Sequence, residues 1–215
     1  MDEFTKAVRQ KQSPARVFSV NGIAQIGMLS GIAFILMLIE FPLWFAPGFY
    51  KLDLSELPVL LGGFALGPAA GVLIELFKIL LNLAFNGTAT NGVGEFANLL
   101  IGCALVLPAS AVYKSHKTKK NAVIGLACGT LMMTVAGSLL NAYLLLPMYS
   151  AVFHMPMEAL VAMGSAVNPA INNVSTFVLL AVAPFNLFKG VLVSVITMIV
   201  YKKLSPALHG LFGGR

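Results

Sequence analysis

Pro184-Phe-Asn-Leu-Phe-Lys-Gly-Val-Leu-Val-Ser-Val-Ile-Thr-Met-Ile-Val-Tyr201 is an apolar run interrupted by a single charge, and Lys202 and Lys203 close it. As a helix rising 1.5 Å per residue, a run of this length spans close to the roughly 30 Å of a bilayer's hydrocarbon core. Proline is a good first helical residue, so the helix is expected to begin at Pro184. The rest of the chain has the same character. Of 215 residues, 58% are apolar and 10% are charged, against about 25% charged in ordinary soluble domains. So few charges cannot cover the surface of a water-soluble globule of this size. The composition excludes a soluble enzyme and a disordered tail, and it predicts an all-α integral membrane protein.

Working back from this run, five more spans can be placed. A basic tail with Lys6, Arg9, Lys11 and Arg16 precedes an apolar stretch from Gly22 to about Phe45, interrupted only at Glu40. That stretch is long enough to cross the membrane, and it lacks the short core and cleavage site of a signal peptide. After the break at Pro42, Pro47 and Gly48 comes a short second span, Leu54 to Leu66, ended by Gly67-Pro68. The third is expected from Ala69 to Phe85, the fourth from Glu95 to Tyr113, and the fifth from Ala122 to Leu146, stopping at Pro147. Between spans five and six, Met148 to Ala183 reads as a long external segment, partly helical, lying on or dipping into the bundle. The expected division is a tail at 1–21, a six-helix transmembrane domain at 22–204, and a second tail at 205–215.

Charge placement tests this count. With the first tail inside, the inner segments hold Lys6, Arg9, Lys11, Arg16, Lys114, Lys117, Lys119, Lys120, Lys202, Lys203 and Arg215, and the outer loops hold only Lys51. This is a strong positive-inside asymmetry, and an odd number of spans would put one basic cluster on the wrong side. Both termini are therefore expected in the cytoplasm. The basic balance of 14 Lys plus Arg against 8 Asp plus Glu reports loop orientation rather than nucleic acid.

A lysine at the centre of a membrane helix costs about 2.5–3.5 kcal/mol on insertion scales, so such residues face the protein interior. Lys189 lies inside the last span, and Asn186, three residues earlier, shares its helical face. Asn141, near the outer end of span five, and Lys189 both fall roughly 7–8 Å below the outer surface. Two antiparallel helices thus bring Asn141, Asn186 and Lys189 to one depth, either as a ligand site or as interhelical hydrogen-bond glue. On span three, Glu75 and Lys78 can neutralise each other locally, with Asn82 on the same face. Glu95 and Asn98 open span four. Asn98 can reach the same pocket, while Glu95 suits the positive end of a helix dipole. Trp44, Phe45, Phe49 and Tyr50 form either an interfacial aromatic belt or a lid over a ligand. On span one, Gly27 and Gly31 make a small face with Ser30 alongside, a surface that another helix can approach closely.

Chemistry is scarce. No phosphate-binding glycine loop is present. His116, His154 and His209 are scattered and no metal-ligand spacing occurs. Cys103 and Cys128 sit in apolar runs with no disulfide framework. No span holds a histidine that could activate a serine. The chain is expected to bind rather than catalyse, with energy supplied elsewhere.

Three segments, Lys51-Leu-Asp-Leu-Ser-Glu-Leu-Pro58, Phe64-Ala-Leu-Gly-Pro-Ala-Ala-Gly71 and Glu75-Leu-Phe-Lys78, resemble the substrate-binding (S) subunits of energy-coupling factor (ECF) vitamin transporters. Gly94-Glu-Phe-Ala-Asn98, Pro184-Phe-Asn-Leu-Phe-Lys-Gly190 and Tyr201-Lys-Lys-Leu-Ser-Pro206 are similar to its riboflavin-specific branch. The resemblance implies a six-helix bundle in a bacterial cell membrane that captures riboflavin from outside. It would dock on a module of one transmembrane coupling subunit and two ATPase subunits. It also implies that Asn141, Asn186 and Lys189 read the polar edge of the flavin ring, and that Gly27 and Gly31 meet the coupling subunit. The Asn-rich segment from Met148 to Ala183 departs from the family pattern.

A flavin suits these side chains. Its pyrimidinedione edge alternates acceptors with an imide donor, which two asparagines and a lysine can satisfy. Each buried polar group left unpaired costs about 1–3 kcal/mol, so the same edge gives discrimination. No cofactor is expected; riboflavin is the transported ligand, and FMN is also accommodated if its phosphate points into water. Three other readings remain open: an S subunit for thiamine or a folate, a secondary transporter coupled to protons through Glu75, Glu95 or His154, and a ligand-free membrane partner. Flavin colour, sensitivity to a protonophore and a ligand-induced melting shift distinguish them.

Overall fold

The computed structural model describes residues 19–212, with side chains described as far as Tyr201. The first 18 residues of the expected basic tail, and residues 213–215, lie outside the described residues.

Helix α1 spans Val20–Met37, opened by Ser19, whose hydroxyl accepts the Gly22 N–H at 3.1 Å. It ends well before the expected Phe45, because prolines at 42 and 47 cannot donate to a helical ladder. Instead, Phe41–Pro42 (β1) pairs antiparallel with Lys51–Leu52 (β2) in a two-stranded ribbon. Helix α2, Glu56–Leu66, follows with eight of its eleven residues buried. It packs against α1 and against three helices that follow it in the chain. An apolar helix this short is a core element rather than a lipid-facing crossing. Gly67 turns the chain at φ 107°, a conformation that disfavours any side chain, and Pro68 opens α3, Pro68–Phe85.

Helix α4, Val93–Ser115, and helix α5, Lys119–Leu140, form a tightly packed antiparallel pair. The expected stop at Pro147 does not occur. A π turn at Asn141–Leu145 leads directly into α6, Leu146–Phe153, and the continuous helix from Lys119 to Phe153 is one long apolar span. Proline clashes with the carbonyl four residues upstream in an α-helix, and a π turn widens the ladder at that place. The device recurs. Helix α8, Val174–Phe177, is capped by Asn173 and runs through a π turn at Val178–Val182 into α9, Ala183–Phe212. Pro184 therefore lies inside a helix that begins at Val174, and is not its first residue. The long external segment expected from Met148 to Ala183 shrinks to α7, Met157–Ser165, with its flanking links. Residues expected as a tail after 204 are helical to Phe212.

Among the described residues, five helices are long and apolar enough to cross a membrane, and α2 is a shorter apolar helix. Around α2, α1 packs on α3, α3 on α4, α4 on α5 and α5 on α9. The core holds Val59, Leu60, Phe64, Ile74, Leu105, Met133 and Val193. Toward the ends of α4 and α9, Phe64 stacks on Tyr113 at 4.5 Å between centroids, and the Tyr113 and Tyr201 hydroxyls lie 2.7 Å apart. A second apolar cluster of Leu146, Leu160, Ile171 and Phe177 sits where α6, α7 and α8 meet. Outward faces carry Ile23, Phe77, Leu80, Leu131, Val135, Val191 and Ile199. Apolar side chains covering so much exterior suit lipid rather than water. Cys103 and Cys128 are both free thiols.

Candidate ligand-binding site

The two π turns touch each other, and each falls within four residues of a buried asparagine. Asn141 is the first residue of one turn, and Asn186 lies two residues beyond Pro184. Both asparagines line a cavity of about 660 Å³ between the ribbon, α2 and the facing ends of α3, α4, α5 and α9. That volume is in the range of small-molecule sites. Lys189 and Asn98 line the same cavity, so all four residues expected at a ligand site come together.

Their hydrogen bonds fix their orientation. Asn141 Nδ2 donates to the Gly137 carbonyl at 2.8 Å, and its Oδ1 accepts from the Tyr50 hydroxyl at 2.6 Å. Asn186 Nδ2 donates to the Val182 carbonyl at 3.0 Å. These bonds decide which way each amide points, so donor and acceptor positions on the wall are preset. The crossing of α5 and α9 is close here. A Cβ added at Gly137 would lie 2.8 Å from Asn186 Nδ2.

Lys189 Nζ donates to Asp53 Oδ2 at 2.8 Å, and Asp53 Oδ1 accepts the Ser55 N–H at 2.8 Å. Asp53 lies in the link between β2 and α2. Burial pushes its carboxyl upward, but the positive charges of Lys189 and Lys78 outweigh that and hold it at about 2. Behind the wall, Lys78 meets Glu56 at 2.9 Å, Glu75 at 2.8 Å and the Ser55 hydroxyl at 3.1 Å. It also donates to Asn98 Oδ1 at 3.4 Å. The local Glu75–Lys78 pair is present, and Glu56 joins it from α2. Such a fully buried cluster costs desolvation and is held by its mutual geometry.

The remaining candidates separate. Glu95 accepts the hydroxyls of Thr88 and Thr90, each at 2.9 Å, in the first turn of α4. Trp44 is 89% exposed. Phe49 and Tyr50, by contrast, turn into the cavity, Phe49 stacking on Phe177 at 6.4 Å and Tyr50 meeting Phe185 at 5.4 Å. His154 ends α6 at φ 51° and is not among the residues lining the cavity. On α1, Gly27 and Gly31 have open space around them. Ser30 does not share that face. It is buried, and its hydroxyl donates to the Ile26 carbonyl at 2.7 Å, because a serine in an apolar helix satisfies itself on the preceding turn.

Asp53 is not among the residues the sequence offers for a ligand site, and Tyr50 is offered only as part of an aromatic belt or lid. Their partners are 136 and 91 residues away, a separation that no local spacing rule can bridge. The arrangement has donors, acceptors and one neutralised cation around an apolar floor of Leu145, Met133 and Phe185. It is equipped to bind a small molecule that has both polar and apolar faces.

The chain shares 37% identity over 183 residues, 85% of its length and 89% of the relative's, with "Riboflavin transporter RibU" of Staphylococcus aureus (strain TCH60). It shares 32% over 188 residues, 87% of its length and 93% of the relative's, with "Riboflavin transporter FmnP" of Bacillus subtilis (strain 168). A solved structure described as "Structure and mechanism of the S component of a bacterial ECF transporter" superposes with a TM-score of 0.68 at 35% identity. That match covers 86% of this chain and 96% of the other. Residues 21–201 match the family described as "ECF transporter, substrate-specific component", and the chain, a membrane protein, belongs to that family.

Proposed function

We propose that this chain is the riboflavin-binding S subunit of an ATP-driven ECF importer in a bacterial cell membrane. The observation that carries the reading is the relatives' identity across nearly the whole chain, two of them named riboflavin transporters. The cavity supports it. Asn141, Asn186 and Lys189 match the alternating donors and acceptors of a pyrimidinedione edge, and the aromatic and aliphatic wall suits the dimethylbenzene side. Asn98 is assigned to the same ligand wall.

The bundle has six membrane helices in this reading, with the short α2 as the second and residues 22–204 as the substrate-binding domain. Tails 1–21 and 205–215 face the cytoplasm, as the positive-inside asymmetry requires. The cavity then opens outward and receives the vitamin from outside. The chain is not an enzyme: two partner ATPase subunits hydrolyse ATP, and the outward glycine face of Gly27 and Gly31 meets the coupling subunit. An absorption spectrum of the detergent-purified chain tests the assignment. A co-purified flavin band is expected; a colourless protein whose melting temperature does not respond to riboflavin would refute it.

A further inference from the structure

The cavity wall is poor in available positive charge. Among the described residues, each lysine at the wall is already paired: Lys51 with Glu40 and Lys189 with Asp53. Lys78, behind it, is held between Glu56 and Glu75. The carboxylates outnumber these lysines, with Glu40, Asp53, Glu56 and Glu95 all lining the cavity. Glu95 differs from the others in having no cation at hydrogen-bond distance. Its Oε2 is held by two neutral hydroxyls, Thr88 and Thr90, in the loop that rims the cavity. Glu95 itself is buried, whereas its partner Thr88 is exposed, as are Glu40, Lys51 and Asn86 elsewhere on the cavity lining. The asparagines, Lys189 and this carboxylate line one cavity, and of these four Glu95 is the one anchored to the exposed 88–90 loop.

We propose that Glu95, fixed by Thr88 and Thr90, is a specificity-determining residue that selects against phosphorylated ligands. The inference rests on the riboflavin reading above and names which form of the flavin the site takes. A ligand whose heteroaromatic edge is held at Asn141, Asn186 and Lys189 extends its tail toward the rim. A hydroxylated tail can donate hydrogen bonds to the Glu95 carboxylate. A phosphate monoester carries close to two negative charges at neutral pH, and it meets a fixed like charge in a low-dielectric cleft with no free cation to offset it. Repulsion built into a site in this way discriminates without adding a contact to the preferred ligand.

The test is flavin fluorescence quenching with the purified full-length chain, titrating riboflavin and FMN into wild type and Glu95→Gln. At low salt, wild type is expected to bind riboflavin at least about tenfold more tightly than FMN, and Glu95→Gln to narrow that ratio by about threefold or more. Raising salt from about 20 to about 500 mM should narrow the wild-type ratio as well, because screening shortens the reach of the charge. This salt arm needs no substitution and stands if Glu95→Gln fails to fold. A ratio unchanged by both salt and substitution, or FMN binding as tightly as riboflavin to wild type, overturns the role of Glu95 and leaves the riboflavin assignment in place. Wild type that binds neither flavin overturns both.

Discussion

Lys189 and Asp53 form a buried ion pair, with Nζ 2.8 Å from Oδ2, that ties the last helix to the link entering α2. The pair settles how a cation can sit so deep in an apolar bundle. The lysine is neutralised and aimed before any ligand arrives, and preorganisation of this kind lowers the cost of binding.

Lys189→Ala removes the cation and leaves Asp53 buried without its partner. Breaking one side of a buried pair costs about 3–5 kcal/mol in stability. Riboflavin affinity is expected to fall at least about tenfold, through loss of a charge-assisted donor. The double variant Asp53→Asn/Lys189→Ala should recover much of the melting temperature but not the binding. Differential scanning fluorimetry and fluorescence quenching read the two effects separately.

The pH dependence follows from the same carboxylate. Asp53 is held at about 2, below its ordinary 3.8. A depressed pKa means that its stabilising contribution is complete above the ordinary value and is lost as pH falls toward the folded one. The difference in melting temperature between wild type and Asp53→Asn should therefore be flat from about pH 8 to about pH 5 and close only below about pH 4. A difference that changed near neutral pH would show that another group controls the pair.

Tyr50→Phe deletes one hydroxyl, the donor that meets Asn141 Oδ1 at 2.6 Å. The ring still packs on Phe185 and Phe177, so the stability change should be about 1 kcal/mol. Binding should weaken by roughly three- to tenfold, because the amide is free to turn and present the wrong atom. Isothermal titration at constant pH would check the affinity.

At Gly137 stability and binding are expected to move apart. In an exposed helix interior, Gly→Ala stabilises by about 1 kcal/mol. Here the new methyl would stand 2.8 Å from Asn186 Nδ2, tighter than carbon and nitrogen tolerate. Gly137→Ala is expected to displace the Asn186 amide and lower riboflavin affinity by about tenfold while the melting temperature changes little. Equal affinities for Gly137→Ala and wild type would show that the position of Asn186 is not decisive.

Much of the architecture could be read from hydropathy and charge because a bilayer imposes long apolar helices and segregates lysines. The structure departs from this reading where a proline reads as a boundary. Pro147 and Pro184 ordinarily stop a helix, but each lies two residues past a five-residue π turn, and that widened turn has no signature in residue spacing. Helix α2 was placed correctly but is a core element, a role that depends on being surrounded and not on its own eleven residues. For the site, Asn141, Asn186 and Lys189 line one cavity even though Leu146 and Pro184, the residues from which helical rise counts their depth, are not helix ends; both helices run on past them through a π turn. The partners of Asp53 and Tyr50 are not legible, since both residues reach them from the segment that links α1 to α2. Ser30 shares the spacing of its glycine neighbours, but its side chain is buried while they lie on the open edge of α1.

The most direct test of the account is a riboflavin titration of the detergent-purified wild-type chain, stripped of endogenous flavin and followed by quenching of flavin fluorescence. The account predicts saturable quenching with a stoichiometry of about one riboflavin per chain, and a markedly weaker curve for Lys189→Ala. Fluorescence that stays that of free riboflavin throughout the wild-type titration, or a Lys189→Ala curve that superposes on wild type, would contradict it.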